Sequence, residues 1–178
     1  MDRLINMMDA RIYVSTDYVY NSGNFFGQWM QLCDYKNKQE FRSAFCSLYP
    51  SEKEPVLLIL YWQDVPKPLI CINDISSKIF KLMNLLSGFD SYRNKAFHLW
   101  IDRFSPEIFN CKSREIIRLF ENSYQGYYEE TELFGRYYAK ECLAITNPDF
   151  DYALFGVQLL EEQFIQIEGY VFKRITIN

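Results

Sequence analysis

Histidine is almost missing from this chain: 178 residues contain one, His98. A multi-histidine metal centre is excluded, and imidazole catalysis would rest on a single side chain. That side chain stands between Phe97 and Leu99 on a predicted helix, which assigns it a structural role. Cysteine provides no framework either. The five cysteines, Cys33, Cys46, Cys71, Cys111 and Cys142, are odd in number and widely spaced, with no Cys-x-x-Cys and no Cys–His pair. A zinc site or disulfide scaffold is not expected; reduced, mostly buried thiols are. The phosphate-cradling loops GxGxxG and GxxxxGK[ST] are absent, as are HExxH and GxSxG. No apolar run approaches the ~18–20 residues that span a bilayer. The longest, from Val56 to Trp62, has strand length, and MDRLINMMDARIYV shows no signal-peptide core. A cytoplasmic protein away from membranes is expected.

What is present is aromatic and acidic. Aromatic residues make up 18% of the chain, with 15 Phe, 14 Tyr and 3 Trp. Such side chains fill a core with few residues, and tyrosine also tolerates a wet edge. Half the chain is apolar and 24% is charged, the balance of a folded domain rather than a disordered one. Net charge is −4, but it is unevenly placed. Residues 1–113 hold 13 basic and 12 acidic side chains, whereas the window 121–168 holds 2 basic and 10 acidic. A surface of one sign selects a partner of the other, so this third of the chain calls for a basic partner and disfavours nucleic acid.

Local patterns predict an α+β chain. RIYVSTDYVY begins as a strand, NSGN turns around Gly23, and GQWMQL is a second strand. Asn37 and Glu40 have capping-box spacing ahead of a helix with Phe41, Ala44, Phe45 and Leu48 inside, stopped by Pro50. VLLILYW is a third strand. Pro66 and Pro68 mark a boundary. Beyond it the pattern is all helical and carries Lys78, Lys81, Arg93, Lys95 and Arg103. Asp74 is placed to cap a helix ended by Gly88, SYRNKAFHLWIDRF is another helix, and SPEIFN starts a short third with Pro106 in its first turn. SREIIRLFENSY reads as either helix or buried strand. TELFGRYYAKECL reads as a helix with Leu133, Phe134, Tyr137 and Tyr138 inward. Pro148 opens a last helix, and a β-hairpin closes around Glu168–Gly169.

No constellation of catalytic residues accompanies the acids. Asp149-Phe150-Asp151 has the spacing of a metal-binding pair, but two carboxylates at a helix start are also what the helix dipole stabilises. Any two acids could form a glycosidase-like pair; spacing along the chain does not select one.

Three stretches together resemble the ArdA-type antirestriction proteins carried by conjugative plasmids and transposons. IYVSTDYVYNSGNFFGQW carries Tyr20, Asn21, Gly23, Gly27 and Trp29. FENSYQGYYEETELFGRYYAKE carries Phe120, Tyr124, Gly126, Tyr128 and Phe134. FDYALFGVQLLEEQFIQIEGYVFKR carries Asp151, Tyr152, Leu159, Gly169 and Phe172. The resemblance covers roughly residues 10–175 and implies an elongated chain of three small domains. These are an N-terminal antiparallel sheet with one helix (1–63), a central helical domain (64–112) and an acidic C-terminal α+β domain with the closing hairpin (113–178). It further implies a homodimer that mimics B-DNA and fills the DNA groove of type I restriction–modification enzymes. No reaction, cofactor, metal, membrane or direct nucleic-acid binding is implied. The phosphate-like charges on this reading are Glu121, Glu129, Glu130, Glu132, Glu141, Asp149, Asp151, Glu161, Glu162 and Glu168. Two other readings stay open: a diverged acidic module that binds another basic DNA-binding protein or regulator, and an enzyme that uses two carboxylates in an aromatic cleft.

Overall fold

The computed structural model describes residues 5–108 and 110–175. Residues 1–4, Phe109 of the expected third helix, and Thr176 and Ile177 of the expected closing strand lie outside the described residues. The chain divides into two compact units, Met1–Ile117 and Arg118–Asn178. Its α+β class is as the sequence patterns predict.

In the first unit an antiparallel sheet has the order β2-β1-β3, from Arg11–Thr16 (β1), Gln28–Gln31 (β2) and Leu57–Gln63 (β3). Ile12 pairs with Met30 and Val14 with Ile59, and all four side chains are buried. This is the inward half of the alternation that marked these segments as strands. Thr16 ends β1 by capping a short helix, α1 (Asp17–Asn21): its hydroxyl accepts the Val19 N–H at 3.1 Å. The chain then returns through Gly23, at φ +78, where a side chain would be strained. A Cβ at Gly27 would collide with the Val14 carbonyl oxygen. Its bare backbone lets the Gly27 N–H donate to the Tyr13 hydroxyl at 2.9 Å.

Helix α2 (Lys38–Leu48) starts as predicted, with Asn37 Oδ1 accepting the Glu40 N–H at 2.9 Å. Glu40 reaches one residue further back than a simple capping box, to the Lys36 N–H at 2.8 Å. Phe41 and Phe45 are buried beneath it. Phe41 lies 6.5 Å, ring to ring, from Phe80 of α3 (Lys78–Leu86).

The central segment is not all helical. Ile70–Cys71 (β4) and Asp74–Ile75 (β5) form a small antiparallel ladder. Asp74 therefore does not cap α3. Its Oδ2 accepts instead from Lys38 Nζ at 2.6 Å, a long-range partner that local spacing does not reveal. Nor does Pro106 begin a new helix, for α4 runs through it from Ser91 to Ile108. A proline inside a helix costs ~3 kcal/mol. Here it falls in the last turn, between Phe104 and Ile108, both buried, and that burial keeps the helix continuous. His98 on α4 is buried with Nε2 3.2 Å from Met7 Sδ. Burial lowers its pKa to about 4 against a hydrogen bond to the Asp64 backbone, so the ring is neutral near pH 7, in keeping with a structural role.

Helix α5 (Ser113–Ser123) settles the ambiguity of SREIIRLFENSY in favour of helix. In the second unit the sheet order is β6-β8-β7, from Tyr124–Tyr127 (β6), Phe164–Ile167 (β7) and Tyr170–Lys173 (β8). Strand β6 was not predicted. The β7–β8 hairpin turns on Glu168 (φ 49) and Gly169 (φ 83), two left-handed residues as a tight two-residue hairpin requires. Helices α6 (Thr131–Tyr137) and α7 (Tyr152–Glu162) join the sheet around Phe134, Leu159, Phe164 and Val171.

Two inward assignments on α6 are corrected. Leu133 and Tyr137 are exposed, while Phe134 and Gly135 are buried. The reason is the α6–α7 crossing: a Cβ at Gly135 would strike the Tyr152 carbonyl oxygen, and one at Gly156 the Thr131 carbonyl oxygen. The inner seam is thus set by the two glycines. After Tyr137 the helix widens to a π turn, Tyr138–Cys142, and this places Ala139 inside.

The cysteines are free, as expected, but not buried: Cys33, Cys46, Cys71 and Cys142 are exposed and Cys111 is half-buried. Inner positions beside them are taken by larger side chains, as Leu32 beside Cys33 and Phe45 beside Cys46. Among the described residues no helix is long and apolar enough to cross a membrane.

Candidate functional site

The acidic window is built on an aromatic floor. Tyr124 stacks on Phe120 with centroids 5.5 Å apart and planes 10° from parallel. Tyr128 packs against Phe134 at 5.3 Å and Tyr137 at 5.7 Å. Tyr127 meets Tyr170 edge-on at 5.1 Å. Tyr138 and Phe134 both close on Phe164 at 5.2 and 5.1 Å. The rings contribute apolar area while hydroxyls find polar neighbours at the margin. Tyr128 donates to the Gln125 carbonyl at 3.2 Å. Burial first, and then the neighbouring Tyr137, Cys142 and Tyr124, push its pKa up to about 12, so it stays a neutral donor.

The same unit carries the ten acids. Nine of them are exposed, and Glu132 is half-buried. Glu121 lies near the end of α5. Glu129 and Glu130 lie in the β6–α6 link, and Glu132 in the first turn of α6. Glu141 falls in the π turn. Asp149 precedes α7 and Asp151 caps it, with Oδ1 accepting the Leu154 N–H at 2.9 Å. Glu161 and Glu162 end α7, and Glu168 is at the hairpin tip.

The fold brings some of these together. Tyr127 pairs with Tyr170, and the Tyr128 N–H donates to the Gly169 carbonyl at 2.8 Å. That hydrogen bond draws the β6–α6 link, which carries Glu129 and Glu130, towards the hairpin turn that carries Glu168. All three carboxylates are exposed, where solvent screens their mutual repulsion. Glu132 and Asp151 line one cleft with Arg136, Lys140 and Tyr152. Each carboxylate there already has a structural donor: Arg136 Nη2 reaches Glu132 Oε1 at 2.5 Å, and Asp151 holds the start of α7. The other acids are distributed over α5, the π turn, the α7 approach and the end of α7, apart from the β6–α6 link and the hairpin turn. Among the described residues no three His, Cys, Asp or Glu gather to hold a metal ion.

The two cations of the window are turned onto one ring. The Arg136 guanidinium lies 5.3 Å from the Tyr152 centroid and Lys140 Nζ 6.0 Å. Arg174 donates to the Leu160 carbonyl at 3.2 Å, at the C-terminal end of α7, where a cation suits the dipole.

The N-terminal motif is structural in the same sense. Tyr13 and Trp29 face each other across β1 and β2 at 5.4 Å, with the Arg11 guanidinium 4.7 Å from the Trp29 ring. Sequence reading did not identify β6, the glycine seam of α6 and α7, or a basic groove in the first unit. An internal glycine in each of two helices is the available signal for the seam; strand β6, Tyr-Gln-Gly-Tyr, carries no alternation that announces it.

The class these features define is an α+β protein whose second unit displays dispersed surface carboxylates on a packed aromatic core. The sequence model of the family described as antirestriction protein (ArdA) matches residues 12–172, nearly the whole chain. The protein belongs to the ArdA antirestriction family. No curated protein is similar enough to add to that assignment.

Proposed function

We propose that the exposed carboxylates of the second unit imitate the phosphate array of duplex DNA and occupy the DNA-binding surface of a type I restriction–modification enzyme. The observation that carries this reading is the exposure of nine of the ten acids on one 61-residue unit. Duplex DNA presents one charge per ~1.7 Å of axis. A groove of Lys and Arg shaped for that array also accepts carboxylates held at comparable spacing, and their encounter is steered by long-range attraction. The protein acts by occupancy, with no reaction and no cofactor. On this reading two copies form a dimer in the cytoplasm, so the array is presented twice.

The three-domain division belongs to the same proposal. It is supported by the three sheets, each falling within one of the segments 1–63, 64–112 and 113–178. In the first unit, the first two segments share the Phe41–Phe80 and Lys38–Asp74 contacts.

Competition tests the reading. A type I methyltransferase is bound to a labelled duplex that carries its site, and this protein is titrated in. Displacement that weakens with salt is expected. Neutralising the ten acids in groups lowers potency progressively, with no single change abolishing it. A duplex that stays bound at large excess overturns the assignment to this enzyme and directs the search to another basic protein.

A further inference from the structure

The first unit carries a site of the opposite sign. A groove of about 920 Å³ is lined by Lys36, Lys38, Lys78, Lys81, Lys112 and Arg114, and its other lining residues are neutral. These are six of the 19 basic residues of the chain. The first unit as a whole is nearly balanced, at 14 basic and 13 acidic. Without the six groove cations it would hold 8 basic against 13 acidic. Near-neutrality thus conceals a cationic groove on an acidic background. Carboxylates reach its margin: Asp74 pairs with Lys38 Nζ at 2.6 Å, Glu40 accepts the Lys36 N–H at 2.8 Å, and Glu115 follows Arg114 in the chain.

Three helices of at least nine residues begin at this groove. Residues 37–39, 77–78 and 112–114 line it, at the starts of α2, α3 and α5. Helix starts add partial positive charge and N–H groups to the side-chain cations. Crowded like charges are unfavourable until an anion neutralises them. A carboxylate array on a folded surface does not descend into such a concavity. A phosphodiester chain does, since it is thin and carries one charge per nucleotide. Arg114 offers the planar fork that suits phosphate, and the lysines offer point charges. The one aromatic ring in the lining, Phe80, is itself buried, so no exposed platform there stacks bases.

We infer that this groove binds the phosphodiester backbone of nucleic acid, without sequence preference. The expectation of no direct nucleic-acid binding rested on the acidic third of the chain and on the family resemblance; the groove lies in the first unit. The inference does not depend on the acidic array, and the two are tested apart.

The test is fluorescence anisotropy of short labelled oligonucleotides of unrelated sequences with the full chain. Expected is Kd in the non-specific range of about 10⁻⁴–10⁻⁶ M, with log K falling as log salt rises at about −0.7 per phosphate neutralised on a single strand. The triple variant Lys81→Glu, Lys112→Glu, Arg114→Glu changes exposed residues only. It is expected to weaken binding by about tenfold or more and to flatten the salt slope. The control variant Lys53→Glu, Lys67→Glu, Arg103→Glu has the same net charge at exposed residues outside the groove, and should bind within about twofold of the parent. Equal weakening by both variants overturns the site, as does the absence of oligonucleotide binding at low salt. Inorganic tripolyphosphate serves as the second probe. Groove-dependent binding of tripolyphosphate without any oligonucleotide binding overturns the nucleic-acid assignment. The groove variant should still displace duplex from the methyltransferase, so failure of either proposal leaves the other standing.

Discussion

Residues 1–117 carry 14 basic and 13 acidic side chains, and residues 118–178 carry 5 and 10. Both units nevertheless bury phenylalanine beneath helices that start on a side-chain cap, Asn37 in one and Asp151 in the other. The difference lies in what the surface does with charge. In the first unit, six cations converge on a groove whose lining contains no carboxylate, with Asp74 pairing Lys38 at its margin. In the second, the acids are spread over helix ends, links and a hairpin tip, while the cations of the window are drawn onto Tyr152. A core specified by apolar pattern is therefore compatible with either sign, because sign is assigned at positions the core does not use.

The largest test of this comparison is to remove an equivalent core ring from each unit. Phe41→Ala and Phe134→Ala each delete a fully buried ring, and each should cost ~3–5 kcal/mol. Hydrogen exchange followed by unit would show the loss of protection confined to the mutated unit. Equal loss in both units would break the comparison, since it would mean a single cooperative core.

Acidification separates the units next. His98 has its folded pKa lowered to about 4 from the ordinary 6.5, so the unfolded chain binds the proton first. Stability from this group is complete above pH ~6.5 and is lost as pH falls towards ~4, by about 3 kcal/mol. Residues 118–178 contain no histidine. Urea midpoints read by exchange at pH 7 and pH 5 should fall in the first unit and hold in the second, and His98→Gln should flatten the first.

Gly135→Ala sharpens the contrast between seams. The added methyl would meet the Tyr152 carbonyl and lie 2.8 Å from the Gly156 nitrogen. A cost of ~1–3 kcal/mol is expected, read as a lower urea midpoint. A neutral outcome would show that α6 and α7 slide apart freely.

The smallest effect belongs to the caps. Asn37→Ala and Asp151→Ala should each cost ~1 kcal/mol by thermal unfolding. The second change also removes one charge of the proposed array, and a displacement assay should register it only slightly.

Much of this fold is legible locally. The alternation in β1, β2 and β3, the Asn37 cap, the Pro50 stop and the Glu168–Gly169 turn are properties of neighbouring residues. The sequence failed where a distant partner decides. Asp74 reads as a cap until Lys38 claims it. Leu133 and Tyr137 read as core until Gly135 and Gly156 draw two backbones together. Pro106 reads as a start until buried neighbours carry α4 through it.

The acidic side chains were named from sequence, since composition by itself shows an excess of one sign. Their exposure, and the approach of the Glu129–Glu130 link to the hairpin turn through the Tyr128–Gly169 hydrogen bond, required the folded strands. The groove was illegible because its six cations come from residues 36–38, 78–81 and 112–114, each a modest local charge. Sequence by itself determined the longer elements, the Asn37 cap, the Glu168–Gly169 turn and the charge of each segment, because these depend on near neighbours. Tertiary structure decided which charges meet, because electrostatic fields sum over distance in space and not along the chain.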